Sequence, residues 1–461
     1  MHPSTLKRRR TGSSEEEDDS VPPIVDLFLP EHVWKLILQN IKSSSKLLQL
    51  RKTTKLFCSL INDQLNSKRY WEKLCYDRRI IPWHATLKNT FLDYLEENDS
   101  LDEFNADQNN WKIMYLSYEK WENIIKSKGS HKVIKIINSP KNLKYTFITS
   151  VAGCIGMIFN KRIIKVALPI ENRLKVINFN LPESRRGYCV QEIGFWNVEE
   201  TIIVYAKLED RSICFWKAGS SRHILYDEES LGNIFCADND ILMNVNDNIT
   251  RLTKYDYDDQ YGSIVQQLVD IIGQPNDVNL EEFQIIGLFA NANSITVACR
   301  KEKTILKLKI KIPERRSLPY IIYESTPFDL EISDYVRRPY ICHIPISDVL
   351  LIADAKNLWM LYRTEVFNQV KWNLTQGSCK RTITSLTMFC NTVIIGFDNG
   401  SIQLIQLYDY QDKASFVRSH TMNIRIDSKN EPIDFVKVDR VNNEQDCIMI
   451  GTKSSLKYLT F

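Results

Sequence analysis

Cysteine and histidine, two side chains that often carry chemistry, are spread through this sequence without a spacing that would let them act together. There are 11 cysteines and 7 histidines. No CxxC or HExxH motif occurs, and the two nearest cysteines are Cys379 and Cys390. Metal sites with a sequence signature need ligands at short, fixed spacings. The sequence therefore predicts no metal centre, and it favours reduced, buried cysteines in a cytoplasmic or nuclear protein.

Motifs for nucleophilic or phosphate chemistry are equally absent. The sequence has no G-x-S-x-G elbow, no P-loop, no G-x-G-x-x-G and no kinase signature. The short run from Gly153 to Gly156 lies in a strand-like region, where two such glycines are typical of a turn. Because nothing places a nucleophile beside a base, we expect a non-catalytic protein without a cofactor. Acid pairs assembled from distant segments leave no local trace, so this expectation rests on motifs alone.

Composition predicts a globular protein of two or three domains. The chain has 461 residues, of which 43% are hydrophobic and 10% aromatic, enough for buried cores. The 60 basic and 57 acidic residues leave a formal charge of +3, which argues against a nucleic-acid partner because such proteins usually carry a concentrated basic face. No apolar run of about 18 residues occurs, so we expect no membrane segment.

The first 23 residues are a low-complexity, charged segment. A basic run from Lys7 to Arg10 is followed by Ser13 and Ser14, which precede acidic residues as acidophilic-kinase sites do. Such a segment cannot bury enough apolar surface to fold, so residues 1–23 are expected to be a disordered tail. The basic run is interpreted either as a nuclear-import patch or as a solvated tail.

The segment that follows, residues 24–78, has the pattern of about three short amphipathic helices. Pro30 and Glu31 suit the first turn of a helix, and apolar residues then recur at helical spacing from Val33 to Ile41. Three helices of this size cannot bury all their apolar residues among themselves, which predicts a partner surface. The alternative is a helical cap that packs on the rest of the same chain.

Residues 79–130 also have a mostly helical pattern and are interpreted as a linker. Its first half has Leu87, Phe91, Tyr94 and Leu95 at helical spacing. Its second half contains an aromatic stripe, formed by Trp111, Tyr115, Tyr118 and Trp121. Packing against a core is the default meaning of such a stripe.

Beyond His131 the pattern changes to short apolar strands separated by polar turns, and one hairpin recurs seven times. Each copy is an apolar strand, a polar turn and a second apolar strand, with a mean period of about 49 residues. The copies begin at Cys154, Ile202, Ile241, Ile295, Leu350, Val393 and Cys447.

One further strand flanks each hairpin on either side, so residues 131–461 are predicted to be a seven-bladed β-propeller with four strands in each blade. The last copy lacks an outer strand, and we expect the strand 132–138 to supply it by pairing with residues 454–461. Two packed β-sandwiches are the alternative fold, because the uneven spacing of the copies also fits irregular sheets.

Residues 24–78 resemble an F-box, and the rest resembles the linker and propeller of F-box proteins with WD repeats. The first resemblance rests on Leu29-Pro30-Glu31, on Phe57 and on the run from Tyr70 to Leu74. The propeller is divergent, because the Gly-His and Trp-Asp signatures of WD repeats are absent. The resemblance implies a substrate receptor of an SCF-type ubiquitin ligase, which acts by holding a substrate near the conjugating enzyme.

The resemblance also implies partners and contact residues. The partners would be a Skp-type adaptor, through it the cullin and ring-finger subunits, and a protein substrate with or without phosphorylation. The residues implied in binding or presenting the adaptor surface are Leu29, Pro30, Val33, Ile37, Leu50, Trp71 and Leu74. In related receptors an arginine cluster accepts phosphorylated peptides, and the arginines at comparable places here are Arg211, Arg251, Arg300 and Arg381.

Two other functions stay open at this point. The chain is alternatively a scaffold that binds the adaptor outside a ubiquitin ligase. A nucleic-acid or chromatin protein that uses the basic run from Lys7 to Arg10 is the third interpretation, which the nearly neutral charge weakens.

Overall fold

The described portion of the chain begins with helices and continues as β-strands. The computed structural model describes residues 29–41, 44–78, 80, 108–125, 131–139, 143–151, 153–170, 173–198, 201–219, 223–224, 232–238, 241–246, 249–258, 260–273, 280–291, 294–312, 318–323, 328–329, 339–344, 349–355, 357–362, 365–367, 381–407, 420–426, 430–441 and 445–461. The predicted tail, the first residues of the predicted F-box (24–28) and the helical spacing from Leu87 to Leu95 lie outside these residues.

The chain divides into two units, one ending at Tyr70 and the other beginning at Trp71. The helices are α1 (Glu31–Gln39), α2 (Ser44–Leu50), α3 (Lys55–Leu65), α4 (Lys68–Asp77) and α5 (Gln108–Asn123). The boundary between the units falls within α4. Residues 29–77 therefore contain four helices rather than the three that the sequence pattern predicted.

Local backbone chemistry explains where these helices begin. The carbonyl oxygen of Pro30 accepts a hydrogen bond from the backbone N–H of Val33 at 2.9 Å. The side chain of Thr54 accepts one from the backbone N–H of Phe57 at 3.1 Å and so caps α3. This cap starts α3 directly after the polar run from Arg51 to Thr54, which separates α3 from α2.

The first unit has a small core of its own. Among the described residues of this unit, the buried apolar side chains are Leu38, Leu47, Leu60, Ile61 and Tyr70. Trp34 packs edge-on against Phe57 with 4.9 Å between the ring centroids. The amide of the buried Gln64 donates to the carbonyl oxygen of Leu38 at 3.1 Å, which joins α3 to the end of α1.

The second unit contains seven antiparallel sheets, which we number as blades 1 to 7 and describe from the inner strand outward. Blade 1 consists of β2 (Tyr145–Val151), β3 (Cys154–Phe159), β4 (Ile163–Ile170) and β5 (Arg173–Phe179). Blade 2 consists of β6 (Val190–Val198), β7 (Thr201–Leu208), β8 (Ile213–Lys217) and β9 (His223–Ile224). Blade 3 consists of β10 (Gly232–Asp238), β11 (Ile241–Asn246), β12 (Arg251–Asp258) and β13 (Ser263–Asp270). Blade 4 consists of β14 (Gln284–Asn291), β15 (Ser294–Lys301), β16 (Thr304–Lys311) and β17 (Tyr320–Tyr323), and β18 (Phe328–Asp329) also pairs with β16.

The remaining blades follow the same order. Blade 5 consists of β19 (Tyr340–Ile344), β20 (Val349–Ala353), β21 (Leu358–Tyr362) and β22 (Glu365–Phe367). Blade 6 consists of β23 (Ile383–Phe389), β24 (Thr392–Phe397), β25 (Ser401–Gln406) and β26 (His420–Arg425). Blade 7 consists of β27 (Phe435–Val441), β28 (Gln445–Gly451), β29 (Ser455–Thr460) and, as its outer strand, β1 (Lys132–Asn138).

The blades form a closed ring, because the inner strands contact one another in the cycle β2, β6, β10, β14, β19, β23, β27 and back to β2. In blade 7, β1 runs antiparallel to β29, with Lys132 opposite Thr460 and Asn138 opposite Ser455. The predicted seven-bladed propeller is confirmed, and the seven hairpins are the second and third strands of its blades. The alternative of two packed β-sandwiches is wrong.

Packing between blades explains why the middle strands are apolar on both faces. Every side chain of β3 and β24 is buried. On β8, Trp216 packs against Phe179 of blade 1 at 5.5 Å, and its neighbour Phe215 packs against Tyr255 of blade 3 at 5.9 Å. Successive side chains of a strand point to opposite faces, so each middle strand supplies apolar residues to two neighbouring blades.

Deleting the last seven residues, which removes β29, should unfold the propeller rather than fray its end, because β1 and β28 would both lose their neighbour. The single variant Leu459→Ala keeps the strand and only leaves a cavity, so it should lower the free energy of unfolding by about 2–5 kcal/mol. Thermal unfolding of the full chain and both variants measures their stabilities, and the deletion should lower the melting temperature more than Leu459→Ala does. An unchanged melting temperature after the deletion contradicts closure by β1 and β29.

Candidate functional site

The first unit exposes large apolar side chains on three of its helices. The exposed fractions are 59% for Leu36 and 42% for Ile37 on α1, 42% for Leu48 on α2 and 38% for Leu56 on α3. Charged residues flank them, since Lys35 and Glu31 form an ion pair at 2.9 Å on the exposed side of α1. Large exposed apolar side chains on a small unit are typical of a protein–protein contact surface. This surface is the first candidate site, and we call it the helical surface.

The structure separates the residues predicted for adaptor binding into accessible and buried ones. Pro30 and Ile37 are exposed, and Leu29, Val33 and Leu50 are half-buried. These accessible residues all belong to the first unit.

Trp71 and Leu74, in contrast, are 1% and 3% exposed. Both lie in the second unit, where Trp71 packs against Tyr115 of α5 with 5.8 Å between the ring centroids. They therefore support the fold and are not accessible for direct contact. Leu36, Leu48 and Leu56 are exposed in the same unit but were not among the predicted contact residues. Leu36 continues the helical spacing that starts at Val33, which is the signal that could have pointed to it.

Helix α5 packs on the second half of α4. The thiol of Cys75 lies 3.6 Å from the carbonyl oxygen of Trp111, and Arg78 forms an ion pair with Glu122 at 3.4 Å. Burial raises the pKa of the Cys75 thiol, with a smaller contribution from Glu72. The thiol therefore stays protonated at neutral pH and acts as a small apolar side chain.

The opposite side of α5 is fixed to blade 7 by one buried carboxylate. The hydroxyl of Ser117 and the indole N–H of Trp121 each donate to Oδ2 of Asp446 at 2.9 Å, and Asp446 is 4% exposed. Lys120 Nζ lies 3.5 Å from the backbone carbonyl oxygen of Asp446. Two charge-assisted hydrogen bonds in a buried setting are strong and directional, so they fix the position of α5 on the propeller.

Aromatic and backbone contacts complete this attachment. The indole of Trp121 packs edge-on against Phe389, with 5.0 Å between the ring centroids. The backbone carbonyl oxygen of Trp121 accepts a hydrogen bond from the Thr392 hydroxyl at 3.4 Å. Burial also raises the pKa of the neighbouring Cys390 and Cys447 thiols, with smaller contributions from Asp446 to both. Neither thiol is a nucleophile at neutral pH.

These contacts define two faces of the propeller. Helix α5 meets the face where inner strands end, as β23 does at Phe389, and we call it the α5 face. The other face, where inner strands begin, also holds the turns between second and third strands, because antiparallel neighbours alternate in direction. We call it the arginine face.

All four arginines predicted for substrate binding belong to the arginine face. Arg211 lies in the turn between β7 and β8, Arg251 begins β12, Arg300 is near the end of β15 and Arg381 precedes β23. They come from blades 2, 3, 4 and 6, respectively. The strand order therefore brings them to one face but not to one blade.

Three of these guanidinium groups already have local contacts. Arg251 Nε lies 3.3 Å from Asp270 Oδ1, and Arg300 Nε donates to the carbonyl oxygen of Glu302 at 2.6 Å. Arg381 donates to the Asn423 side chain at 3.2 Å and lies over the ring of Phe397 at 5.1 Å.

Arg211 has a different environment, because it lies in an exposed turn with φ of 70°. A non-glycine residue is strained in this left-handed conformation. The turn is held by Asp210, whose Oδ1 accepts from the backbone N–H and hydroxyl of Ser212 at 3.0 and 2.6 Å, and whose Oδ2 pairs with Arg185. These contacts fix the backbone of the turn, so the position of Arg211 is well defined although its side chain is exposed.

No metal or membrane site emerges from the described residues. Within those ranges, no group of three or more histidine, cysteine, aspartate or glutamate side chains has the geometry to hold a metal ion. None of the described helices is both long and apolar enough to cross a membrane.

Replacing Asp446 by alanine should loosen α5 from the propeller, because the Ser117 hydroxyl and the Trp121 indole would lose their acceptor. Leaving buried donors without a partner costs about 1–3 kcal/mol. Hydrogen exchange of residues 108–123 should become faster, and the matched variant Asp446→Asn, which keeps an acceptor oxygen, should have a smaller effect. Equal exchange in Asp446→Ala and the native chain contradicts this role.

Comparisons with known proteins give a structural match without a family. No protein-family model matches the chain, and neither does any curated protein. Among the solved structures that match is the crystal structure of the Saccharomyces cerevisiae Sqt1, with a TM-score of 0.44 and 8% identity, covering 71% of this chain and 98% of that one. The propeller assignment rests on the strand pairing described above.

Proposed function

We propose that this chain is a substrate receptor of a cullin-based ubiquitin ligase, in which the first unit is an F-box that binds a Skp-type adaptor and the propeller binds a protein substrate. The observation that carries the proposal is the helical surface, formed by Leu36, Ile37, Leu48 and Leu56 beside the Leu29-Pro30 start. A unit this small that leaves four large apolar side chains exposed is best explained by a constitutive partner.

The chemistry of the helical surface indicates what kind of partner fits. Its four side chains are aliphatic, and the aromatic Trp34 and Phe57 pack against each other. An aliphatic surface is matched by an apolar groove or helix face of a partner protein. A Skp-type adaptor, as the F-box resemblance implies, is such a partner.

The attachment of α5 supports a positioning role. A receptor raises the rate of ubiquitin transfer by holding a lysine of its substrate near the loaded conjugating enzyme, which supplies proximity rather than acid or base. Such a role requires that the substrate-binding domain is rigidly attached to the helix that precedes it. Asp446, with its hydrogen bonds to Ser117 and Trp121, supplies a fixed joint between the linker helix and blade 7.

The arginine face is our proposed substrate surface, because α5 occupies the other face. A phosphorylated peptide is a suitable substrate, since guanidinium groups bind phosphate through paired hydrogen bonds. The Arg251–Asp270 pair is solvent-exposed, and exposed ion pairs are weak, so a phosphate can displace the carboxylate at little cost.

We place the protein in the cytoplasm, the nucleus or both. The basic run from Lys7 to Arg10, which lies outside the described residues, would serve as the import signal in a nuclear protein.

The second candidate function is a scaffold that binds the adaptor outside a ubiquitin ligase. The same helical surface favours it, because binding the adaptor does not by itself recruit a cullin. Affinity purification separates the two functions: cullin and ring-finger subunits should accompany a ligase receptor, whereas a scaffold should bring the adaptor without them.

Charge inserted into the helical surface should abolish adaptor binding. We expect the double variant Leu36→Asp/Ile37→Asp to bind a purified Skp-type adaptor at least about tenfold more weakly, which corresponds to about 1.4 kcal/mol, because central apolar residues dominate interface energies. Both side chains are exposed, so the unit should stay folded. Isothermal titration calorimetry measures the change.

The matched control is Val176→Asp, which places a charge on an apolar side chain of comparable exposure in β5 of the propeller. It should bind the adaptor like the native chain. Full affinity of the Leu36→Asp/Ile37→Asp variant would refute the assignment of the helical surface.

A panel of phosphorylated and unphosphorylated peptides tests the arginine face. We expect phosphorylated peptides to bind more tightly, with an affinity that falls as salt increases, and the variants Arg211→Ala and Arg381→Ala to reduce the difference. Lys175→Ala, on the outer strand of blade 1, is the control. Equal binding of both peptide classes rules out phosphate recognition but leaves adaptor binding untouched.

A further inference from the structure

Basic residues are concentrated on one part of the arginine face, in blades 7, 1 and 2. Lys453 lies in the turn between β28 and β29, and Lys144 directly precedes β2. Lys161 and Arg162 lie in the turn between β3 and β4, and Arg211 lies in the turn between β7 and β8. All five side chains are exposed. Among the described residues, none forms an ion pair with any of them.

Hydrogen bonds join these positions from blade 7 to blade 1. The backbone N–H of Tyr145 donates to the carbonyl oxygen of Lys453 at 3.2 Å. The carbonyl oxygen of Lys144 accepts from the backbone N–H of Asn160 at 3.1 Å, and the N–H of Lys144 donates to the Asn160 side chain at 3.1 Å. The turns of blades 7 and 1 therefore lie side by side.

The connection continues from blade 1 to blade 2. The carbonyl oxygen of Lys161 accepts from the backbone N–H of Val190, at the start of β6, at 2.7 Å. The carbonyl oxygen of Cys189 then accepts from the N–H of Glu209, at the start of the turn that contains Arg211, at 2.9 Å. The basic residues thus follow one another along the face, and we call them the basic row: Lys453, Lys144, Lys161, Arg162 and Arg211.

Other arginines neutralise most of the acidic residues near the basic row. Asp210 pairs with Arg185 at 2.5 Å, and Glu183 pairs with Arg186 at 3.3 Å. Glu209 is the one other acidic residue in these turns and in the residues that lead from blade 1 into β6. The positive charge of the basic row is therefore largely uncompensated.

Acidic residues mark the blade 7 end of the basic row. Glu431 accepts a hydrogen bond from the hydroxyl of Thr452, next to Lys453, at 2.8 Å. Burial raises the pKa of Asp434, and the nearby Lys453 opposes this shift. Glu431 and Asp434 lie in the segment that connects blade 6 to blade 7. An anionic ligand is therefore favoured between blades 7 and 2 and not towards blade 6.

The turns themselves do not require basic residues. Lys161 and Arg211 have φ of 61° and 70°, a conformation in which glycine or asparagine is less strained. Packing does not require them either, because both side chains are exposed. Their charge is therefore available to a ligand.

The basic row suits several separate negative charges better than one phosphate or a stacked base. Phosphate is bound by guanidinium groups that converge on one point, whereas these charges belong to turns of three blades and most are lysines, which act as point charges. Single-stranded nucleic acid is bound by stacking on accessible aromatic rings. The nearby Tyr145 is buried, and Tyr188 is half-buried with Arg185 over its ring at 5.7 Å.

We propose that the basic row binds an extended segment of the substrate protein that is rich in aspartate and glutamate and needs no phosphorylation. This inference rests on the proposed function, because it names the class of substrate that the arginine face takes. Alternate side chains of an extended chain lie on one side, roughly 6–7 Å apart, so several carboxylates can face several turns at once. Of the four arginines considered above for phosphate, Arg211 alone belongs to the basic row.

Fluorescence anisotropy with the full-length chain and a labelled peptide of alternating glutamate and serine tests this binding. We expect the matching glutamine–serine peptide to bind at least about tenfold more weakly, and the affinity for the glutamate peptide to fall as salt increases. The variant Lys161→Glu/Arg162→Glu should also bind the glutamate peptide at least about tenfold more weakly, because it turns two attractions into repulsions.

The matched control is Lys301→Glu/Lys303→Glu, at the turn between β15 and β16 of blade 4. It reverses two exposed charges on the same face, outside the basic row, and changes the net charge by almost the same amount. It should bind the glutamate peptide within about twofold of the native chain. All four substituted side chains are exposed, so the chain should stay folded, and melting temperatures check this.

Peptide length separates a row of charges from a single pocket. A glutamate–serine peptide of about 12 residues spans up to roughly 40 Å when extended, and one of about 4 residues spans a third of this length. We expect the longer peptide to bind more tightly, because exposed charge pairs are individually weak. Lys453→Glu/Arg211→Glu, at the two ends of the basic row, should reduce this advantage of the longer peptide.

Equal binding of the glutamate and glutamine peptides overturns the proposal, and so does native affinity of Lys161→Glu/Arg162→Glu or an equal loss in the blade 4 control. A single-stranded oligonucleotide, or a glutamine peptide with one phosphoserine, that binds more tightly than the glutamate peptide and is lost in Lys161→Glu/Arg162→Glu would assign the basic row to nucleic acid or to phosphate. Either result also overturns the proposal.

Adaptor binding distinguishes failure of this inference from failure of the proposed function. Lys161→Glu/Arg162→Glu should bind the Skp-type adaptor with native affinity. A native chain that binds the adaptor but not the glutamate peptide contradicts the basic row alone. A native chain that binds the glutamate peptide but not the adaptor supports the basic row and contradicts the role in a ubiquitin ligase.

Discussion

Closure of the ring by β1 and β29 is the constraint on which the second unit depends. The middle strands are apolar on both faces, so each blade needs a neighbour on both sides, and an open ring would leave two blades half-covered. Pairing β1 (Lys132–Asn138) with β29 (Ser455–Thr460) completes blade 7 from both ends of the propeller sequence. Stability of every blade is therefore linked to one strand pair that joins residues more than 300 positions apart.

Blade 7 also makes close contacts with blade 1 at the seam between them. Oδ1 of Asp439 on β27 accepts from the backbone N–H of Gly153 at 3.2 Å, and Lys437 donates to the carbonyl oxygen of Ser150. A Cβ atom on Gly451 would lie 2.6 Å from Cδ1 of Ile148 in blade 1, so a larger residue at this position would require the Ile148 side chain to move. Asp446, which holds α5, lies on β28 of the same blade. Ring closure and the attachment of the linker helix thus share one structural element.

The sequence was sufficient to predict those strands and helices that leave a recognisable residue pattern within their own segment. The seven hairpins were visible because β3 and its equivalents are buried on both faces and read as continuous apolar runs. Outer strands such as β9, with two residues, leave almost no pattern. The additional helix was missed because only the short run from Arg51 to Thr54 separates α2 from α3.

The candidate site was less predictable, because it depends on which residues meet across the chain. Periodicity shows that Trp71 and Leu74 are on an apolar face but not that Tyr115 of α5 covers it. Asp446 had no local signal, since it is a single carboxylate at the start of a strand. Its partner Ser117 is an ordinary serine in the sequence, and only its burial in the structure shows that it needs a hydrogen-bond partner.

The candidate surfaces of the second unit lie at different places on the propeller. Helix α5 uses the face where inner strands end, and the four arginines belong to the face where inner strands begin. The divergence from WD repeats does not disturb this separation, since strand order alone decides which residues reach each face. Binding surfaces can therefore change in sequence independently of one another, while the apolar middle strands and the pairing of β1 with β29 preserve the ring.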